Sequence, residues 1–211
     1  MDKKVFRVKD AFDLPIIKTL DPYMVEHAGF IAGGCFKNVF SHEKIKDLDV
    51  FFNSESDWLD AVEHFTELTE EGDAWILCYE NEKVKAFKNL KSGIVLELCR
   101  TVFGTPEQVL SQFDFTITKF AYVKTFIPDG ESGHWEYQAV YHEDFFEHLA
   151  QHRLVLDDKV LFPMSTFDRM FRYAKYGYRP CRYTKLKIVD ALRNLSQTDV
   201  SLPRNFYDGM D

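Results

Sequence analysis

Residues 29–52 read GFIAGGCFKNVFSHEKIKDLDVFF, and this stretch decides the fold. Gly29 to Ala32 is a short apolar run of strand character that stops at Gly33-Gly34. A brief helix is predicted from Cys35 to about Phe40, and Leu48 to Phe52 is the next strand. Asp47 and Asp49 stand two apart, so on an extended chain both carboxylates face one side while Leu48 and Val50 face the core. Mg²⁺ takes carboxylate, water and phosphate oxygens. Two such ions roughly 3.5–4 Å apart can activate an attacking hydroxyl and neutralise a departing pyrophosphate. The glycines let backbone approach a triphosphate closely, and the start of the following helix offers N–H groups to phosphate. Asp-x-Asp pairs occur on many surfaces, and paired glycines occur in many turns. Their order here, strand–Gly-Gly–helix–strand with Asp-x-Asp, is what makes the combination specific.

Working outward, residues 10–27 are predicted helical, with Pro15 near the start and Ile16, Ile17, Leu20, Met24 and Val25 roughly on one face. Ser54-Glu55-Ser56 offers caps for a helix running to Glu71, in which Trp58, Val62, Phe65 and Leu68 recur at core-facing spacing before Gly72 stops it. Strands are predicted at 74–79, 83–90 and 94–99, with turns at Asn81 and Lys91-Ser92-Gly93. Thr105-Pro106-Glu107-Gln108 is a capping box that opens a short helix. The pattern of 113–123 suits a strand or a helix, and 128–133 is read as a loop. Helices follow at 142–152, 163–176 and 183–195, with a loose tail beyond. The class is α+β: a mixed sheet with flanking helices over 1–140 and a helical region over 141–211.

Composition bounds the function. The formal net charge of −8 argues against non-specific coating of nucleic acid. Between Ser165 and Asn194, however, eight basic residues stand against Asp168 and Asp190, a net +6 that leaves −14 for the remainder. That local basic surface suits a polyanion bound at one place; a solvated helix face is the plainer reading. The four cysteines form no CxxC pair, which gives no support to a zinc ribbon or redox motif. No apolar run reaches the roughly 18–20 residues needed to cross a bilayer, and no signal-peptide pattern opens the chain. A cytoplasmic protein is expected, with no membrane partner. His148 and His152 stand four apart without a third ligand nearby in sequence, and so read as structural.

The order of motifs resembles the head of the poly(A) polymerase and tRNA CCA-adding enzyme superfamily, polymerase-β-like nucleotidyltransferases with a G-G-x-V-R-D … D-x-D signature. Lys83 to Arg100 resembles the family's hairpin, whose second strand carries an acid matching Glu97. Asp114 to Tyr122, DFTITKFAY, resembles the family's R-R-D-F-T-I-N-A-x-A-Y motif. Thr166 to Gly177, TFDRMFRYAKYG, is similar to its neck helix. The resemblance implies a catalytic head over 1–140, a helical neck over 141–211, and a short stand-alone enzyme of the phage or bacterial type. It also implies an NTP substrate, Mg²⁺ or Mn²⁺ bound by Asp47 and Asp49, and Glu97 or Asp114 as the third carboxylate. Nucleotide contacts would come from Gly33, Gly34, Lys37, Asn38, Arg169, Arg172 and Lys175, and the acceptor could be an RNA or tRNA 3′ end. Two departures stand out. Lys37-Asn38 replaces the family's Arg-Asp, and Gln112-Phe113 replaces two arginines that contact the nucleotide. They leave open a non-catalytic binding protein, or a toxin or defence-type enzyme acting on tRNA or a protein.

Overall fold

The computed structural model describes residues 5–72, 74–129, 132–157 and 160–195; the tail beyond Leu195 lies outside them. In chain order the elements are β1 (Phe6–Asp10), β2 (Phe30–Ala32), α1 (Cys35–Phe40), β3 (Asp47–Phe52), α2 (Glu55–Glu70), β4 (Trp75–Glu80), β5 (Val84–Asn89), β6 (Val95–Phe103) and α3 (Pro106–Leu110). They continue with β7 (Phe120–Asp129), β8 (Ser132–His142), α4 (Phe145–Ala150), β9 (Arg153–Leu154), α5 (Pro163–Lys175), β10 (Arg179–Pro180) and α6 (Arg182–Arg193). Eight strands form one mixed sheet in the order β1-β8-β7-β2-β3-β6-β5-β4. All neighbours are antiparallel except β3 and β6. A parallel pair needs a crossover, and α2 begins it, its first turn closed by a capping box between Ser54 and Asp57.

Alternation along β3 and β6 sends side chains to two cores. Leu48, Val50, Phe52, Leu96 and Leu98 join Trp58, Ala61 and Phe65 of α2, and the Trp58 indole N–H donates to the Leu98 carbonyl at 3.0 Å. On the opposite side Phe30, Phe51 and Cys99 meet Val109 and Leu110 of α3 and Phe113. The first core runs on without a break through Phe115, Phe120, Phe145, Leu154, Tyr173, Tyr178 and Ile188, so the C-terminal helices are packed into it.

Several expectations need correction. Residues 10–27 form 3-10 turns, Ala11–Asp13 and Pro15–Tyr23, because Pro22 lies inside the segment and lacks the N–H an α-helix requires there. The ambiguous 113–123 divides into a 3-10 turn at Thr116–Thr118 and the start of β7. The expected loop at 128–133 is the end of a long hairpin whose pairing reaches Pro128↔Gly133 and Asp129↔Ser132. β1 and β8 were not expected. The first half of β8 is exposed on both faces, so it shows no core-facing alternation. The helix expected at 142–152 shortens accordingly to α4.

His27 leads into β2 and is buried against Phe52 and Phe65. Its Nδ1 accepts the Gly29 N–H at 3.1 Å, so Nε2, 2.9 Å from the Tyr23 carbonyl, carries the ring's proton. Burial pushes its pKa down to about 4, and it also pushes down those of His142 and His148. The unfolded chain therefore binds protons first as pH falls below about 6.5. The stabilisation is complete above that value and is lost down to pH 4, by about 3 kcal/mol for His27 alone. Denaturant melts at pH 7.5 and 4.5 should show this loss, and His27→Gln should flatten the difference.

Candidate active site

Gly33 ends β2 at φ +103, a conformation that favours glycine. Its N–H donates to the Phe120 carbonyl at 3.0 Å, which fixes the turn to β7. At Gly34 a Cβ would come within 2.9 Å of the Tyr173 hydroxyl, so α5 lies directly over the glycine turn. Next to this turn is a cavity of about 350 Å³. Asp47 and Asp49 form part of its wall, together with Gly34, Cys35, Lys37 and Asn38, the segment Glu43 to Lys46, Arg172 and Tyr173 of α5, and Tyr176 at the end of that helix. Four cationic side chains (Lys37, Lys44, Lys46, Arg172) thus share one cavity with three carboxylates (Glu43, Asp47, Asp49).

The acids belong to a row across the sheet. Asp49 is paired with Ala32 on β2 and with Glu97 on β6, and Glu97 is paired in turn with Ala86 on β5. Paired residues face the same side, so Asp47, Asp49 and Glu97 share a face opposite the fully buried Leu48, Leu96 and Leu98. Asp47 is exposed and Asp49 is half-buried. The Tyr79 hydroxyl donates to Glu97 Oε1. Burial, the bond to Glu97 and the neighbouring carboxylates push the Tyr79 phenol pKa well up. Among the described residues no three His, Cys, Asp or Glu side chains converge as a ready-made metal cage. Two carboxylates on one strand beside cationic side chains nevertheless suit Mg²⁺, which keeps water and takes phosphate oxygens for its other ligands. Thiolate chemistry is disfavoured: burial first, then Asp49, pushes both the Cys35 and Cys99 thiols up.

The two departures from the resembled motif have local explanations. The Asn38 amide donates to the Lys44 carbonyl at 3.1 Å and accepts from Lys37 Nζ at 2.7 Å. The Glu43 N–H donates to the Asn38 carbonyl at 2.8 Å. Asn38 therefore staples the Ser41–Lys46 segment to α1. Phe113 is buried against Phe51, with ring centroids 5.7 Å apart, so it closes the smaller core at a position where the family has an arginine.

The remaining sequence-based candidates divide. Arg172 and Lys37 line the cavity, and Lys37 Nζ sits 5.0 Å from the Tyr176 ring. Lys175 is exposed and is not among the lining residues. Asp114 and Arg169 are both buried and pair with each other, the Arg169 Nε donating at 2.8 Å and a second guanidinium N–H reaching the same Oδ2. They are brought together with one another, not with Asp47 and Asp49. His148 bonds Thr116 at 2.8 Å, and His152 stacks on Tyr178. Lys44, Lys46 and Tyr173 were not anticipated. The alternation Lys44-x-Lys46-Asp47-x-Asp49 was the available signal, masked by the acids on either side.

The fold matches that of solved CCA-adding nucleotidyltransferases. The structure is similar to the apo form of a CCA-adding enzyme, with a TM-score of 0.56 and 17% identity over 90% of this chain and 46% of that one. It is also similar to the Thermotoga maritima CCA-adding enzyme complexed with tRNA, with a TM-score of 0.54 and 18% identity over 90% and 46%. The chain thus spans about half the length of either enzyme. By sequence it belongs to the Gabija anti-defense 2 family, whose model matches residues 7–152. It is 24% identical over 160 residues to the "Gabija anti-defense 2" protein of Bacillus phage SPbetaL7, covering 75% of this chain but 36% of that protein.

Removing either member of the buried Asp114–Arg169 pair leaves an uncompensated charge, which typically costs about 3–5 kcal/mol. Arg169→Ala should lower the melting temperature accordingly, and Asp114→Ala/Arg169→Ala should cost less than the sum of the single changes. Asp47→Ala, at an exposed position, should change stability by about 0.5 kcal/mol or less.

Proposed function

We propose that this protein is a metal-dependent nucleotidyltransferase that moves a nucleoside monophosphate from an NTP to an acceptor hydroxyl. The observation that carries the reading is the pairing, in one cavity, of Asp47 and Asp49 with Lys37, Lys44, Lys46 and Arg172 beside the Gly33-Gly34 turn. Mg²⁺ or Mn²⁺ held by Asp47 and Asp49 would neutralise charge on the triphosphate and acidify the acceptor hydroxyl. The cationic side chains bind the phosphates, and the glycine turn lets them come close to the backbone. An acceptor oxygen forms a bond to the α-phosphorus as the bond to the bridging oxygen breaks. Pyrophosphate leaves with the electron pair, and the hydroxyl proton passes to one of the two aspartates or to water. Glu97 is the third carboxylate in this reading, because it shares the face and row of Asp49. Residues 1–140 serve as the head and 141–211 as the neck, with Asp114 and Arg169 tying the two rather than touching substrate.

Two acceptors deserve testing. A CCA-adding enzyme of the same fold is known bound to tRNA, which favours an RNA 3′ end. Membership of an anti-defence family favours the defence-related form of the reading, in which the acceptor is an RNA or protein of the host's own machinery. Incubation with each labelled NTP, Mn²⁺ or Mg²⁺, and host RNA or lysate should transfer label, and Asp47→Ala/Asp49→Ala should abolish the transfer. Label on RNA supports an RNA acceptor in either form of the reading, and label on a protein band supports the protein acceptor of the defence-related form. An absence of both transfer and metal-dependent NTP binding would sink the enzyme reading in favour of a binding protein.

A further inference from the structure

The edge strand β4 carries a register shift between Leu77 and Tyr79. Without it Cys78 would stand opposite Ala86; with it Tyr79 does, and Tyr79 joins the row that runs through Ala86 and Glu97 to Asp49. A β-bulge beside a site typically re-aims a side chain in this way. One strand, β5, separates Tyr79 from Glu97, so two inter-strand spacings put roughly 10 Å between their backbones. The gap closes because the residue between them is alanine, fully buried, and the Tyr79 hydroxyl reaches Glu97 Oε1. The chemistry of the donor matters as much as its reach. A lysine or arginine here would pair with Glu97 and cancel negative charge that a divalent cation needs. A phenol fixes the carboxylate's orientation and leaves the charge of Asp47, Asp49 and Glu97 intact.

We infer that Tyr79 is a positioning residue, which holds Glu97 in line with Asp47 and Asp49 for divalent-cation binding during nucleotidyl transfer. This rests on the function proposed above. Outer hydrogen-bond partners of metal-site carboxylates typically contribute 10–100-fold in metal affinity. The test is Mn²⁺ affinity, measured by EPR of free Mn²⁺ for the full chain, Tyr79→Phe, Glu97→Gln, the double variant of these, and Asp47→Ala/Asp49→Ala. Tyr79→Phe should weaken Mn²⁺ binding about tenfold. The same change made in Glu97→Gln should weaken it no further, since the hydroxyl acts through that carboxylate. Tyr79 is 41% exposed, so Tyr79→Phe should melt with the parent protein. A merely structural tyrosine would leave Mn²⁺ affinity unchanged, and that result overturns the inference while leaving the function intact. Effects of Tyr79→Phe and Glu97→Gln that simply add overturn it too. If the parent protein binds Mn²⁺ no better than Asp47→Ala/Asp49→Ala does, the proposed function falls and this inference with it.

Discussion

The buried ion pair between Asp114 and Arg169 holds the rest of the site in place. The two residues are 55 apart in sequence and nearly inaccessible to water, so neither charge is tolerable without the other. Arg169 is on α5, and fixing its rotation fixes what else that helix presents. Arg172, Tyr173 and Tyr176, three, four and seven residues further on, are turned towards the glycine turn and the Asp-x-Asp strand. Neighbouring contacts reinforce the seam. Lys119, itself buried, pairs with Asp157 at 2.7 Å. The Thr184 hydroxyl donates to the Leu154 carbonyl at 2.9 Å and accepts the Leu156 N–H at 3.1 Å. The cavity wall formed by α5 is thus positioned from inside the core.

Much of the sheet was legible because it follows from alternation. A strand that ends in Gly-Gly and a neighbour that alternates Asp-Leu-Asp-Val can be buried on one side only one way. The register of β3 against β2 and β6 then places Glu97 beside Asp49. β1 and β8 were illegible for the converse reason. They pair with each other at an edge of the sheet, and much of their length faces water on both sides, so no hydrophobic period marks them. The 3-10 turns before β2 have helix-like apolar spacing, and only the proline within them signals the difference.

The roles of individual charges were harder to read than the fold. Arg169 and Arg172 look alike in sequence, three apart on an amphipathic helix, yet one is an internal strut and the other a cavity residue. What separates them is Asp114, whose position opposite α5 is a tertiary fact. Tyr79 was hidden for a similar reason: its partner is two strands away, and a single-residue bulge decides which side of β4 it faces.

Asn38 shows how a change at a site becomes hard to undo. Its amide nitrogen faces a backbone carbonyl, and its amide oxygen faces an ammonium. An aspartate, as in the signature this segment resembles, would keep the second contact but set an oxygen against the Lys44 carbonyl, two acceptors with no hydrogen between them. The loop carrying Lys44 and Lys46 now depends on the amide. Exchanging the amide for that acid would free the loop unless another anchor took its place. One neutral amide thus holds in place the segment that brings two of the cavity's cations to the Asp-x-Asp strand.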